Sequence, residues 1–402
     1  MPLLGGFGIG RWFGFPIRID FSWFVLIALI VWVFSTVEFP RQLPGYGDTA
    51  YLAMGVAAAL FFFLSLLLHE LAHSVVARSR GIPVQGITLF IFGGVAQTTK
   101  EAERPVDEFL ITVVGPMASF ALAGLFWSIG ALSSELGVGA PAAEVSRYLG
   151  WLNFVLAVFN LVPGFPLDGG RLFRAAIWQL TGDLKRATRW ATAGGRAFGY
   201  ALMAGGLFLL LNGALINGVW LAFIGWFLAN AAASSYRQFL LMRAISGVPV
   251  SLVLRRAPAV PAEMSAVELA RLFVGGASSS LPVVQEGRMT GIVDLDKLAK
   301  LPLDRRMSTT VGELMSDLAG MLTVPLDETL DQVVTQLQKP DQEHVLVVDG
   351  DRFLGVVTLD DIGDWVQRAR KLGLDRSDVG LRELLAGGGP VADGPNEDGP
   401  HG

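Results

Sequence analysis

Residues 49–77 read TAYLAMGVAAALFFFLSLLLHELAHSVVA, with Glu70 as the only carboxylate and no Lys or Arg. A helix needs about 20 apolar residues to cross the hydrocarbon core at 1.5 Å per residue, so this stretch reads as a membrane span. The same criterion, helped by flanking residues in places, selects 21–37, about 109–134, about 148–167, about 197–211 and about 217–236. The fourth of these six stretches breaks at Pro163, Gly164 and Pro166. The expected fold is a polytopic α-helical membrane protein with about six transmembrane helices. Composition agrees: 52% of the 402 residues are hydrophobic and only 17% are charged, against roughly a quarter charged in soluble chains.

Charge is unevenly spread. Residues 1–240 hold 15 Lys/Arg and 12 Asp/Glu, whereas 241–402 hold 16 and 24. A membrane-embedded domain over 1–240 followed by a soluble half accounts for this, and neither half is basic enough to suggest nucleic acid. With a cytoplasmic N-terminus, the inner segments hold fourteen Lys/Arg, whereas the outer loops hold only Arg41 and Arg147. That asymmetry favours an even number of spans with both termini and the soluble half in the cytoplasm. A cleaved signal peptide is the other reading of 21–37, disfavoured because no Ala-x-Ala site follows it.

Cysteine is absent, so any metal must be held by His, Asp or Glu, and the only histidines are His69, His73, His344 and His401. His69-Glu70-x-x-His73 places two imidazoles four apart on one helix face, able to reach a single Zn²⁺, with Glu70 beside them to take a proton from water. A chance string is the bland reading. Against it stands the cost of a carboxylate near mid-membrane, a few kcal/mol even on the lenient insertion scale. Two histidines leave a catalytic zinc one protein ligand short, and SVVARSRGIPV after His73 supplies no third. Asp168, in Asn160-Leu-Val-Pro163-Gly-Phe-Pro166-Leu-Asp168-Gly-Gly, lies at similar depth; it reads equally as a helix N-cap or turn residue until the missing ligand is considered.

HELAH in the second span with NLVPGFPLDGG in the fourth resembles the site-2 protease family of intramembrane zinc metalloproteases, over residues 1 to about 240. The resemblance implies one Zn²⁺ per chain held by His69, His73 and Asp168, with Glu70 as general acid and base. Asn160 matches the family's Asn that engages the substrate backbone; a helix-packing polar residue is the other reading. A helical substrate must unwind before hydrolysis. Residues 82–98, IPVQGITLFIFGGVAQT, have the composition of strands and read as a short membrane-associated β segment whose edge suits an extended substrate. Within it Gly93-Gly94 matches a family motif, with a plain hairpin turn as the alternative. Gly115-Pro116 in the third span matches family usage or simply kinks a helix.

In the soluble half, residues 281–298 align without gaps to 345–362 at a spacing of 64, each an apolar run, a polar turn, a second apolar run and a helix start. Helical patterns precede them at 265–273 and 329–337. The segment 248–370 resembles a cytoplasmic α/β tandem of cystathionine-β-synthase (CBS) domains, with repeats at about 248–303 and 308–370, a pair that commonly binds adenine nucleotides. Gly355, Thr358 and Asp361 match the family's nucleotide pattern, with Thr358 toward phosphate and Asp361 on ribose, while the first repeat has Gly291, Asp294 and Lys297. An Asp facing phosphate is repulsive, so at most one well-formed site is expected. The chain is also expected to form a homodimer through its CBS domains, and a nucleotide-free dimerisation module is the alternative to nucleotide binding. His344 reads as a packing residue, and 385–402, with His401, as a disordered tail.

Together these features imply an intramembrane endopeptidase in the plasma membrane of a prokaryote. Its substrate class would be a single-span protein such as a membrane-tethered transcription regulator or anti-sigma factor, with the CBS pair regulating access. The rival is a metal-ion transporter or channel with a CBS tail. Carriers tend to show internal repeats among their spans, and none is visible here.

Overall fold

The computed structural model describes residues 5–371 except 91–92, 99–100, 138, 255–257, 276–279, 286–287, 318–321, 338–343 and 350–351. The tail 385–402, with His401, lies outside them. The chain forms two compact units, Met1–Arg237 and Gln238–Gly402.

The first unit opens with two strands that the reading of the sequence did not anticipate, β1 (Gly6–Trp12) and β2 (Phe15–Asp20). They join β3 (Val84–Phe90) and β4 (Gly93–Thr98), the segment read as strands, in one sheet of order β1-β2-β3-β4. β2 and β3 run parallel, pairing Ile17 with Ile87 and Ile19 with Leu89, and the outer pairs are antiparallel. Ile17, Ile87 and Leu89 are fully buried against Leu66, Leu67 and Leu71. At roughly 1.5–3 kcal/mol per buried aliphatic side chain, this contact fixes the sheet on the helix that carries His69 and His73. β4 is left as an edge strand.

That helix is α2 (Asp48–Ser79), 32 residues and so about 48 Å long. It follows α1 (Ser22–Val33), which continues through a π-helical turn to Gln42. Then come α3 (Pro105–Glu135), α4 (Ala140–Asn160), α5 (Asp168–Thr181), α6 (Leu184–Leu211) and α7 (Leu215–Ile245). Among the described residues, five helices are long and apolar enough to cross a membrane: Ser22–Gln42, α2, α3, α6 and α7.

Two expected stretches differ from what is observed. The fourth, read as 148–167, is helical from Ala140 and stops at Asn160; it falls short in apolarity because its first half carries Glu144 and Arg147, paired at 2.7 Å. Residues 161–167 are irregular, as their prolines and glycine require. The fifth, read as 197–211, begins thirteen residues earlier at Leu184. Its first turns carry Lys185, Arg186 and Arg189 and hide from a hydropathy window, but Asp183 caps them by accepting from Arg186 N at 3.0 Å.

The second unit shows the repeat in its backbone. β6 (Ser280–Gln285) pairs with β7 (Arg288–Asp294), and β10 (His344–Asp349) with β11 (Arg352–Thr358). Each hairpin has its register shift at the same place, Val283/Val284 and Val347/Val348. Short strands β5 (Val260–Pro261) and β8 (Ser316–Asp317) flank the first hairpin, and β9 (Leu322–Pro325) lies beside β10. Helices α8 (Ala266–Val274) and α10 (Leu330–Leu337) precede the hairpins; α9 (Leu295–Lys300) and α11 (Leu359–Lys371) follow. The repeats exchange their leaders. Val248 and Val250 are buried in the core of the second repeat, with Val250 N donating to Glu328 O at 2.8 Å. Val311 is buried in that of the first, with its N donating to Met264 O at 2.9 Å.

Candidate metal centre

One turn of α2 separates His69 from His73, and their rings meet edge-on with centroids 4.8 Å apart. Their Nε2 atoms are 3.2 Å apart. Asp168, the first residue of α5, brings Oδ2 to 3.1 Å from His69 Nε2 and 3.2 Å from His73 Nε2. The other ring nitrogens are held from behind by α3. His73 Nδ1 donates to the Ile111 carbonyl at 2.7 Å, and His69 Nδ1 lies 2.9 Å from Ser119 Oγ. A carbonyl only accepts, so in the neutral His73 ring Nδ1 carries the proton and Nε2 presents its lone pair inward.

This arrangement fits a metal ion. Two imidazole nitrogens and a carboxylate oxygen held this close need a metal ion or a shared proton among them. Three donors on a tetrahedral zinc with bonds of about 2.0–2.2 Å lie about 3.3 Å apart, close to the observed spacing. Among the described residues, His69, His73 and Asp168 are the single group of three able to hold a metal.

Two glycines shape the walls. A Cβ at Gly115 would stand 2.1 Å from His73 Nε2 and 2.8 Å from His69 Nε2, so α3 passes against the donor atoms only because position 115 has no side chain. At Gly94 a Cβ would stand 2.3 Å from Glu70 Cγ, so β4 runs against the Glu70 side chain. Gly93 adopts φ +133°, a backbone region that favours glycine. Asn160 closes α4 and is half-buried. Of the residues singled out in the sequence, His69, His73 and Asp168 therefore meet at one point, with Glu70 and Gly94 in contact beside it.

Sequence reading missed Ser119, the Ile111 carbonyl and the buried charged pair Glu108–Arg174. Arg174 Nε donates to Glu108 Oε1 at 2.7 Å and Nη2 donates to the same oxygen. The available signal was Glu108 at the start of an apolar span, on one face of α3 with Ile111, Gly115 and Ser119 at i+3, i+7 and i+11.

In the second unit, Thr358 and Asp361 are buried and bonded to each other. Thr358 Oγ1 donates to Asp361 Oδ2 at 2.8 Å, and Asp361 N donates back to Thr358 Oγ1 at 3.2 Å. His344 is more than the packing residue expected of it: its Nε2 lies 2.8 Å from Asp294 Oδ1, pairing the strand start of one repeat with the strand end of the other. Burial alone would raise the Asp294 carboxyl, but the His344 hydrogen bond and charge, with Ser280 and Lys297, hold it below its ordinary value.

The sequence profile of peptidase family M50 matches residues 57–205, and that of the CBS domain matches 250–304 and 311–367. A Mycobacterium tuberculosis protein named zinc metalloprotease Rip3 is 36% identical over 361 residues, spanning 88% of this chain and 91% of its own length. The chain belongs to the M50, or site-2 protease, family. A second relative of this M50 protease, a zinc metalloprotease of Synechocystis, is 32% identical over 85% of this chain and 89% of its own. Among solved structures, a site-2 protease from Methanocaldococcus jannaschii is 24% identical with a TM-score of 0.40, covering 58% of this chain and 96% of that one. As an M50 member with five apolar helices, the chain is a multi-pass membrane metalloprotease carrying a tandem CBS pair.

Proposed function

We propose that this chain is an intramembrane zinc endopeptidase that hydrolyses a peptide bond within or beside a transmembrane segment of a membrane-protein substrate. The observation that carries this reading is the convergence of His69, His73 and Asp168 at 3.1–3.2 Å, with Glu70 adjacent on a 32-residue apolar helix. Those three residues hold zinc. Zinc there supplies Lewis-acid activation of water and of the scissile carbonyl. Glu70 receives the proton of the attacking water at its carboxylate and returns it to the departing amine. The Ile111 carbonyl keeps His73 in the tautomer that ligates, and Ser119 orients the His69 ring. The free edge of β4, at Gly93 and Gly94, takes the unwound substrate as an added strand, with Asn160 as a further backbone contact.

On this reading residues 1–240 are the protease domain, with α4 as a sixth span. Both termini face the cytoplasm of a prokaryotic cell, and the released product is a cytosolic fragment of a regulator. Residues 248–370 form the regulatory CBS pair. An adenine nucleotide at Thr358 and Asp361 has to replace their mutual hydrogen bond, while the Asp294–His344 contact closes the equivalent place in the first repeat. A metal-transport role has no comparable support, since the relatives carry protease names. The test is cleavage of a single-span substrate by the purified full chain in proteoliposomes, with product termini read by mass spectrometry. Termini within or next to the span are expected; cleavage only at sites remote from the membrane would overturn the assignment.

A further inference from the structure

Asp168 stands apart from the other two donors. His69 and His73 share one helix and are braced from behind, whereas Asp168 is the first residue of a separate 14-residue helix with no side-chain N-cap. The seven residues before α5 are irregular. Something else must set where α5 lies against the histidines.

Backbone contacts tie the segment before α5 to α6, with Phe165 N donating to Ala191 O at 3.2 Å, and one side-chain contact ties α5 to the helix that braces the histidines. Arg174, two turns along α5, is buried at 7% exposure and turns Nε and Nη2 onto Oε1 of Glu108, itself 1% exposed. Arg171, on the same helix, brings Nε to 3.9 Å of that oxygen. The Arg174 guanidinium also lies over the Phe165 ring, 5.2 Å from its centroid, in the segment leading into α5. Glu108 belongs to the helix face whose next members are the Ile111 carbonyl on His73, Gly115 against both rings, and Ser119 on His69. One face of α3 therefore braces both histidines and grips the helix of the third donor.

A buried pair of this kind is a poor device for stability alone, because desolvation of each ion costs several kcal/mol and an apolar pair of similar volume often does as well. Glu108 Oε2 is in addition buried without a hydrogen-bond partner. The two-pronged guanidinium contact offers directional registry, which an apolar contact does not.

We infer that Glu108 and Arg174 are positioning residues that fix Asp168 at donor distance from His69 and His73. The inference rests on Asp168 being the third ligand. It is tested with the purified full chain by chelator competition for zinc and by the visible absorption of the cobalt-substituted protein, which reports coordination geometry. Arg174→Lys keeps the charge and loses the fork; Glu108→Leu/Arg174→Met removes both charges together. Each is expected to lower zinc affinity about 10- to 100-fold and to change the cobalt spectrum, with the double variant's metal-free melting temperature unchanged. Wild-type affinity and spectrum in the folded variants would overturn the inference, as would a lower melting temperature with metal binding intact, the signature of a merely structural pair. Asp168→Asn is measured alongside. If it binds zinc as wild type does, the ligand assignment fails and the positioning role with it; if it alone binds weakly, only the positioning role fails.

Discussion

Replacing Gly115 by Ala adds one methyl group at the most crowded point of the metal centre. The new Cβ would stand 2.1 Å from His73 Nε2, 2.4 Å from His73 Cε1 and 2.8 Å from His69 Nε2. Ordinary contact requires at least about 3.4 Å, so the His73 ring or α3 must move by about 1.3 Å, whereas a zinc bond length tolerates about ±0.2 Å. Neither ring is free to retreat, since His73 is tied to the Ile111 carbonyl at 2.7 Å and His69 to Ser119 at 2.9 Å. Elsewhere in a helix the same change would stabilise by roughly 0.8–1 kcal/mol, because Ala is the better helix former. Gly115→Ala is therefore expected to give a folded protein that retains less than about one-tenth of the wild-type zinc and shows no cleavage above background. Zinc content by mass spectrometry and proteoliposome cleavage are the two readouts. Full zinc occupancy with normal turnover would refute the placement of α3 against the donor atoms.

Three further outcomes follow from the same geometry. Ser119→Ala removes the partner of His69 Nδ1 and should weaken zinc binding about 10- to 100-fold; unchanged chelator competition would remove Ser119 from the site. Gly94→Ala pushes on Glu70 Cγ from 2.3 Å and is expected to lower kcat while zinc content stays at the wild-type level, so that activity falls here without the loss of metal expected of Gly115→Ala. The Asp294 carboxyl, held low by His344 against the effect of burial, stabilises the fold above its unfolded value and loses that contribution as pH falls through its folded value. The protection of amides in the Ser280–Asp294 and His344–Thr358 strands against hydrogen exchange, taken relative to the intrinsic rate at each pH, should then fall below about pH 4, and His344→Ala should show a comparable loss of protection at pH 6. Equal protection in variant and wild type at pH 6 would dismiss the pair as incidental.

What could be read from the sequence follows from how each feature is encoded. His69, Glu70 and His73 are local: helix periodicity alone puts both imidazoles on one face. Asp168 needed a chemical argument, the missing third ligand in a chain without cysteine. The repeat at a spacing of 64 carried over to matching register shifts because a β-bulge is specified by local pairing. β1 was invisible because Gly6, Gly8 and Gly10 alternate with its apolar residues and depress any strand signal. Ser119, Ile111 and Gly115 act on histidines some forty to fifty residues away, so their roles exist only once α2 and α3 are packed. The same holds for Glu108 with Arg174 and for Asp294 with His344. Each looks like a solvated charge or a strand-end residue until the fold buries it against its partner.

On the proposed mechanism, one zinc held by His69, His73 and Asp168 serves a hydrolysis in which Glu70 moves the proton. The most direct test of that mechanism measures zinc stoichiometry and substrate cleavage on the same preparations of wild type and Glu70→Gln. One zinc per chain is expected in both, with cleavage in the wild type alone. A Glu70→Gln protein that still cleaves at the wild-type rate would contradict the mechanism.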